Sequence, residues 1–477
     1  MANVLFVIAE AGGHFSASLG LAAQLREAGH DVTYVGQERV RAAVERQGFA
    51  FEAVAFLVAP RVAVPPPPGG RRGPRQWLQS LVVRRRHGRA VLAVACDVPA
   101  YTDEAVRRLR PDLLVFDPFR LGWYIPFHRH GIPAVAFSSK PLLTADPLVP
   151  PYTSAVVPER SPRGRLRVRL AWLRVEAAYL RHRLALAAGR VLTGYSPGRL
   201  WRTLARQSGY PLRRHWATRP LSFDLRLRGV PELVLFPREF DFPRERPLPP
   251  DAVYVGPCVY AGRTEEPFPW DELPAGRGVV LCSLGTVAYN YDRAGVDFLR
   301  RVLAAFADDT RRALVLVSGG EAVTRMLGPV PAHVRVCEWA PQLQVLARAE
   351  AMITHGGANS IRECMVAGVP VLVYPFRADQ PGNAARIVFP GLGIRGDHRR
   401  DGPAEIRRKL DALTGDAAIR ERVRRMREAF VRADEERAAA AFVDRFLREK
   451  GKLRGEAGRF PLAGAGLGAE AAPTRLA

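Results

Sequence analysis

The sequence predicts an α/β protein built from two doubly wound parallel sheets, on three observations. Short apolar runs alternate with helical segments, which is the pattern of βαβ units. This alternation begins twice, at the N terminus and again beyond residue 275, with a proline-rich stretch between. The length of 477 residues corresponds to two or three domains at about 150 residues each. The predicted divisions are an N-terminal domain at 1–235, a linker at 236–275, a C-terminal domain at 276–450 and a disordered tail at 451–477.

The opening residues predict the first βαβ unit. The apolar run Val4–Ala9 is a strand, Leu19–Ala28 is a helix that stops at Gly29, and Val32–Val35 is the next strand. Loops at the carboxyl ends of parallel strands hold ligands, and His14 lies in such a loop. An imidazole can remove a proton from a hydroxyl near neutral pH, so His14 is a candidate general base. The alternative is a turn histidine that only bonds the backbone.

Asp117 is the candidate partner of that histidine. It follows the apolar run Leu113–Phe116, at another strand carboxyl end. A carboxylate there would hold the imidazole tautomer and stabilise the imidazolium. One alternative is that Asp117 only forms an Asx turn before Pro118. Asp112 is a second choice of partner, although it precedes the strand and is expected at the wrong end of the sheet.

A second chemical signal lies in the C-terminal domain. An apolar strand ends at Thr354, Gly356 and Gly357 follow, and a helix begins near Asn359. Amides without helical partners and the positive end of the helix favour an anion such as a diphosphate. Glu363 lies one turn deeper on the same helix face, where its carboxylate can accept hydrogen bonds from both hydroxyls of a ribose. The alternative is that the two glycines form only a tight turn.

Several spaced motifs resemble family 1 glycosyltransferases, the UDP-sugar-dependent enzymes of the GT-B fold. The motifs are Gly13-His14 with Leu19-x-Leu21-Ala22, Leu281-Cys-Ser283-Leu-Gly285-Thr286, Trp339-Ala-Pro-Gln342, Thr354-His355-Gly356-Gly357-Ala358-Asn359-Ser360-Ile-Arg-Glu363 and Pro375-Phe376-Arg-Ala-Asp379-Gln380. Ala358 stands where plant members have Trp, so the resemblance is to bacterial members. It spans nearly the whole chain. It implies two Rossmann-like domains facing a central cleft, with the acceptor bound by the N-terminal domain and the nucleotide sugar by the C-terminal domain.

The resemblance also implies roles for individual residues. His14 and Asp117 would be the catalytic pair, and Trp339 would stack on the uracil ring. The residues implied for the donor nucleotide are Ser283, Thr286, Trp339, Gln342, His355, Gly357, Asn359, Ser360 and Glu363. Asp379 and Gln380 would bind the hydroxyls of the donor sugar.

The predicted function is inverting, metal-independent transfer of a hexose, with glucose favoured, from a UDP-sugar to a hydroxyl of a hydrophobic acceptor such as a lipid, a carotenoid or a polyketide. We expect no cofactor beyond the UDP-sugar co-substrate. No metal site is expected either, because the sequence has no Asp-x-Asp pair and no metal-ligand spacing of Cys and His. Two alternatives stay open: a dTDP-sugar-dependent natural-product glycosyltransferase, and a non-catalytic nucleotide-sugar-binding helper of a partner enzyme.

Positive charge is concentrated in two stretches. Of the net charge of +24, residues 61–89 carry +8 and residues 160–219 carry +14. Neither stretch interleaves aromatic residues and arginines as a nucleic-acid platform would, so no nucleic-acid partner is expected. Leucines at helical spacing between Leu166 and Leu184 predict a basic amphipathic helix. This helix is either an ordinary arginine-rich domain face or one that touches an anionic membrane surface.

Cysteine usage and the N terminus bear on localisation. The five cysteines are scattered and include no C-x-x-C pair, which is typical of a reducing compartment. The first apolar run has six residues, lacks a basic leader and is followed by Glu10, unlike a secretory signal. The sequence therefore predicts a cytoplasmic protein, in solution or at the inner face of the membrane.

Overall fold

The computed structural model describes residues 1–8, 12–54, 74–118, 121–193, 197–212, 226–227, 229–285 and 293–453. Two parallel β-sheets form the centres of two α/β units. The predicted fold class is therefore confirmed. Residues 454–477, most of the predicted tail, lie outside the described residues.

The first sheet belongs to the N-terminal unit and is parallel throughout. Its strands are β1 (Asn3–Val7), β2 (Asp31–Gly36), β3 (Ala50–Ala53), β4 (Leu113–Phe116), β5 (Ala134–Ser138), β6 (Glu232–Val234) and β7 (Ala252–Tyr254). In the described residues they lie in the order β3-β2-β1-β4-β5-β6-β7. The order reverses at β1, and the crevice at the carboxyl end of such a reversal is where doubly wound sheets bind ligands.

The second sheet repeats this plan in the C-terminal unit. Its strands are β8 (Gly278–Ser283), β9 (Arg312–Val317), β10 (Val334–Cys337), β11 (Ala349–Thr354), β12 (Val371–Val373) and β13 (Gly393–Arg395). Among the described residues their order is β10-β9-β8-β11-β12-β13, with parallel neighbours. The central strands are buried on both faces, which explains their continuous apolar runs.

Helices cover both sheets. They are α1 (Gly13–Glu27), α2 (Arg41–Glu45), α3 (Pro74–Leu109), α4 (Leu121–Tyr124), α5 (Pro162–Thr193), α6 (Pro197–Gln207), α7 (Arg293–Ala305), α8 (Glu321–Met326), α9 (Gln342–Leu346), α10 (Ala358–Ala367), α11 (Gln380–Val388), α12 (Pro403–Gly415), α13 (Ala417–Glu435) and α14 (Ala438–Leu453). Short 3-10 turns occur at Glu38–Val40, Ile125–His130, Arg238–Phe240 and Trp270–Glu272.

The segment predicted as a linker contributes a strand to the first sheet. β7 pairs in parallel with β6, with Ala252 opposite Glu232 and Tyr254 opposite Val234. Only three residues of this segment form the strand, and its short apolar run Ala252-Val-Tyr-Val255 lies between prolines 250 and 257, so it was not distinguished from the linker. The first sheet thus extends beyond residue 235.

The last helix crosses back from the C-terminal unit to the N-terminal one. Ala439, Ala440 and Val443 of α14 are buried in the core of the first sheet. The crossing begins at Arg437, whose φ of 48° lies in the left-handed region and turns the chain between α13 and α14. Nearby, Gly256 also has a positive φ, and a Cβ there would lie 2.5 Å from the carbonyl oxygen of Ala433. The two chain crossings between the units therefore touch each other.

A buried ionic cluster fixes the segment after β6 to the C-terminal unit. The Asp241 carboxylate accepts hydrogen bonds from Arg386 Nε at 2.9 Å, Arg244 Nη2 at 3.1 Å and the Tyr254 hydroxyl at 2.5 Å. Burial alone would raise the pKa of Asp241, but Arg386 and Arg244 hold it below its ordinary value. Because Arg386 belongs to α11, the cluster sets the position of that helix.

The predicted amphipathic helix is α5, and its leucines face solvent. Leu166, Leu170, Leu173, Leu180 and Leu184 are 43 to 63% exposed. The opposite face of the first turns is buried at Val168 and Ala171. No helix in the described ranges combines the length and the apolar character that crossing a bilayer requires.

The packing of α1 gives a stability prediction. A Cβ at Gly20 would lie 1.8 Å from the Cys258 carbonyl oxygen, so Gly20→Ala must push α1 away from the backbone it covers. Overpacking of this kind costs about 1–3 kcal/mol, and the thermal unfolding midpoint should fall by several degrees. Gly198→Ala in α6 is the matched control, because a Cβ there meets open space. The control should leave the midpoint unchanged or raise it, and an equal fall in both variants would refute this account of α1 packing.

Candidate active site

The first half of the site lies at the carboxyl edge of the N-terminal sheet. Val7 pairs with Phe116 in neighbouring parallel strands, so the loops that follow β1 and β4 emerge side by side. Helix α1 begins directly after Gly12, whose φ of 125° turns the chain from strand to helix. His14 lies on the first turn of this helix. Asp117 is the residue immediately after β4.

These two residues are in contact. His14 Nδ1 lies within hydrogen-bonding distance of Asp117 Oδ2. The Asp117 carboxylate is buried, whereas 43% of the His14 side chain is exposed. Asp117 therefore orients the imidazole through Nδ1, while the rest of the ring is accessible to solvent.

Asp112 lies at the other edge of the sheet. Its Oδ2 accepts a hydrogen bond of 2.9 Å from the Asn3 amide at the start of β1. Asp112, the second choice of partner for His14, is therefore wrong, because it precedes its strand rather than following it.

The second half of the site lies at the carboxyl edge of the C-terminal sheet. Ser283 and Thr354 end two neighbouring strands, β8 and β11, and pair with each other. His355 follows β11, is buried and shares a hydrogen bond with the Ser283 backbone. A Cβ at Gly285 or Gly357 would lie within 2.6 Å of its ring, so glycine is needed at both positions for the imidazole to fit.

The ionisation of His355 is set by its burial. Burial lowers its pKa to about 4, although Asp379 and the backbone of Ser283 act in the opposite direction. The ring is therefore neutral at neutral pH. A neutral imidazole has one N–H, so a hydrogen bond from His355 to a phosphate oxygen would replace the one it shares with the Ser283 backbone.

The start of α10 contacts the turn of the other domain that carries His14. Asn359 Nδ2 donates to the Gly13 carbonyl oxygen, and Asn359 Oδ1 accepts from Arg362 Nη2 at 2.6 Å. Arg362 also donates to the Pro257 carbonyl oxygen at 2.6 Å. Ser360 is buried in the same first turn of α10. The helix start predicted to hold the diphosphate thus contacts Gly13, the residue next to His14.

Glu363 is the centre of a polar cluster. Its Oε1 accepts from Arg263 Nη1 at 2.7 Å, and its Oε2 accepts from Gln342 Nε2 at 2.6 Å. Arg263 Nη2 makes a longer contact of 3.5 Å with Oε2, and Arg263 Nε lies 2.5 Å from Glu265 Oε1. Glu363 and Gln342, which the resemblance assigned to one nucleotide, are therefore in direct contact.

The residues predicted for the sugar lie at the start of α11. Asp379 is the N-cap residue of that helix, and its Oδ2 accepts from Asn383 Nδ2 at 3.1 Å. The side-chain oxygen of Gln380 accepts from the amides of Phe376 and Arg377 at 2.8 and 2.9 Å. Any contact of Gln380 with a sugar hydroxyl would therefore come from its Nε2.

Two predicted residues complete the account. Trp339 is 54% exposed between β10 and α9, with its ring accessible for stacking. Thr286 lies outside the described residues. Within the residues the structure describes, no group of three or more His, Cys, Asp or Glu side chains is arranged to hold a metal ion.

Sequence reasoning missed the arginines of this site. Arg263 lies in the loop after β7, exactly 100 positions before its partner Glu363. Arg362 is fully enclosed, and burial lowers its pKa to about 10, so it remains charged at neutral pH. Neither carried a usable signal, because a charged residue in a stretch of mixed polarity is ordinarily at the surface.

Comparisons with known proteins agree with this architecture. Residues 302–436 match the C-terminal domain of erythromycin biosynthesis protein CIII-like proteins. The chain is 26% identical to the 4'-demethylrebeccamycin synthase of Lentzea aerocolonigenes, over 91% of this chain and 96% of that protein. It is 27% identical to the oleandomycin glycosyltransferase of Streptomyces antibioticus, over 92% of this chain and 89% of that protein.

A solved structure extends the likeness to the fold. The glycosyltransferase VinC, determined in complex with dTDP, superposes with a TM-score of 0.58 and 17% identity, over 94% of this chain and 99% of that one. The two parallel sheets of this chain agree with the fold of that structure and with the relatives along nearly the whole length. The chain has the GT-B fold and resembles glycosyltransferases over nearly its whole length.

Proposed function

We propose that this glycosyltransferase transfers a hexose from a UDP-sugar to a hydroxyl of a hydrophobic acceptor. The transfer inverts the anomeric centre and requires no metal ion, and glucose is the favoured sugar. The observation that carries the proposal is the contact of Asn359 with the Gly13 carbonyl. It brings the predicted diphosphate helix next to the turn that bears His14. An acceptor hydroxyl at His14 would thus lie beside the leaving group of the donor.

The base chemistry follows from the contact of His14 with Asp117. A carboxylate at Nδ1 fixes the tautomer in which Nε2 is the basic nitrogen. Nε2 would take the proton as the acceptor oxygen attacks the anomeric carbon, and Asp117 would stabilise the resulting imidazolium. In-line attack inverts the configuration, and the bond between the anomeric carbon and the diphosphate oxygen breaks as the nucleoside diphosphate leaves.

The leaving diphosphate would be stabilised by neutral donors. The first amides of α10, the Ser360 hydroxyl and the neutral His355 ring lie at one helix start. Helix starts stabilise anions through their unpaired amides and their positive end. This arrangement supports a route in which no divalent ion is required.

The donor assignment depends on Glu363 and Gln380. A carboxylate at the ribose favours a nucleotide with two vicinal hydroxyls, which supports UDP, and Gln380 at the start of α11 supports a glucose-type sugar. A dTDP-sugar is the second candidate, and the dTDP complex of VinC favours it. A non-catalytic helper is the third, and it would bind the nucleotide without turnover.

The acceptor is proposed to be a hydrophobic natural product or lipid. The relatives named for rebeccamycin and oleandomycin support a natural-product acceptor. The exposed leucines of α5 support an acceptor that resides at a membrane, with the enzyme in the cytoplasm and bound to the inner face. Arg167, Arg174 and Arg181 recur every seventh residue and so follow the leucine stripe along one flank.

The first test is of the base. His14→Ala should lower turnover by about 10²- to 10⁴-fold, the usual contribution of a general base, and leave UDP affinity nearly unchanged. Asp117→Asn should lower turnover less, because it loses orientation and charge while the base remains. Acceptors are first found by screening UDP-glucose with hydrophobic alcohols by mass spectrometry, and calorimetry with UDP is the binding control. Retention of more than about half the activity by His14→Ala would remove His14 from the mechanism.

The second test is of the nucleotide. Glu363→Ala should weaken UDP more than dTDP, because deoxyribose lacks one of the two hydroxyls. A hydrogen bond to a charged group contributes about 1.5–3 kcal/mol, so the preference for UDP should shrink by about tenfold or more. Asn359→Ala is the matched control on the same helix and should weaken both nucleotides alike. Equal losses for both ligands with Glu363→Ala, measured by calorimetry, would rule out its role at the ribose.

The third test is of the membrane. Wild-type protein should sediment with anionic vesicles at low salt and not with neutral ones, because basic residues near an anionic leaflet contribute about 1 kcal/mol each. Replacement of Arg167, Arg174, Arg181 and Arg183 by Gln should abolish this. Replacement of four arginines of α13, at 420, 424, 425 and 427, is the charge-matched control and should not. Wild-type protein that stays in solution with anionic vesicles would show that α5 is an ordinary domain face.

A further inference from the structure

The acceptor capacity of Glu363 is largely used by protein groups. An ionised carboxylate offers about four lone-pair positions. Gln342 Nε2 and Arg263 Nη1 take one each, at 2.6 and 2.7 Å, and Arg263 Nη2 approaches a third at 3.5 Å. About one position is left. It can accept one of the two hydroxyls of a ribose, and the second hydroxyl has to displace a contact of Arg263.

Arg263 is held where it competes for this carboxylate. The loop that carries it is fixed to the N-terminal domain by Thr264, whose amide donates to Gln47 Oε1 at 2.9 Å and whose carbonyl accepts from Gln47 Nε2 at 3.1 Å. The guanidinium itself is only 12% exposed. Arg263 is therefore packed beside Glu363, and a ribose must compete with a charge already in place.

Glu265 moderates this competition. Its Oε1 lies 2.5 Å from Arg263 Nε, so one guanidinium is shared by two nearly buried carboxylates. Each carboxylate lowers the attraction of Arg263 for the other. The strength of the contact between Arg263 and Glu363 thus depends on Glu265.

We propose that Arg263 determines the discrimination between ribose and deoxyribose donors, by competing with the 2'-hydroxyl for Glu363, and that Glu265 tunes this competition. The inference rests on the proposed function, in that Glu363 is the ribose carboxylate. It adds a specificity-determining residue from a loop outside the donor motif. It also predicts that loss of Arg263 and loss of the Glu265 charge shift the preference between UDP and dTDP in opposite directions.

The test is calorimetry of UDP and dTDP, which requires no acceptor. The double variant Arg263→Ala with Glu265→Ala removes the competing charge and does not leave the Glu265 carboxylate buried without its ion-pair partner. It should shift the ratio of dissociation constants toward UDP by about tenfold or more, the effect of one recovered hydrogen bond to a charged group. Glu265→Gln leaves Arg263 to Glu363 alone, and should shift the ratio toward dTDP by about threefold.

Controls separate this effect from a loss of structure. Arg335→Ala breaks a surface pair with Glu272 in the same domain and should leave the ratio unchanged. A purely structural role of Arg263 would weaken both nucleotides equally, and that result, with the ratio unmoved, would overturn the inference and leave the proposed function intact. If the double variant does not fold, as judged by thermal unfolding, the sign of the Glu265→Gln shift decides. Wild-type protein that binds neither nucleotide would instead overturn the proposed function and the inference with it.

Discussion

The hydrogen bond from Asn359 to the Gly13 carbonyl is the contact on which the site depends. Its partners are 346 positions apart, one at the carboxyl edge of each sheet. Arg362 donates to the side-chain oxygen of Asn359 and also to the Pro257 carbonyl, so the helix start, the turn that carries His14 and the crossing segment form one chain of hydrogen bonds. A sheet edge alone can bind a ligand. Two edges locked together can place a base and a leaving group on either side of one carbon.

The polar groups of the donor half already satisfy one another. Gln342 donates to Glu363, the Gln380 oxygen holds two loop amides, and Asp379 accepts from Asn383. Under the proposed function, binding of a nucleotide sugar to these groups would exchange hydrogen bonds as well as add them, and only the difference would contribute to affinity. The same bonds fix the side chains before the ligand arrives, which lowers the entropy cost of binding. Discrimination between nucleotide sugars would then depend on which intramolecular hydrogen bonds each of them fails to replace.

The sequence was sufficient where local patterns determine position. Leu113–Phe116 was predicted with its observed bounds, and the position of Asp117 after that strand placed it next to His14, because neighbouring parallel strands end at one edge. It was insufficient where partners are distant. Nothing near Arg263 marks it as the partner of Glu363, and the three-residue strand β7 is too short to produce a periodic pattern. The position of α14 on the other domain also depends on tertiary packing that its own sequence does not specify.

The return of α14 to the first sheet gives the molecule two covalent connections between its domains instead of one. Both pass through the same place, where Gly256 packs against the Ala433 backbone and the chain turns again at Arg437. The relative position of the two units is therefore fixed twice at one place. It is fixed again at a distance from there, where the Gly382 amide donates to the Tyr152 carbonyl oxygen at 2.8 Å and Arg395 donates to the Ala155 carbonyl oxygen at 2.6 Å. A sequence change at any of these contacts would alter the geometry of the whole interface between the units.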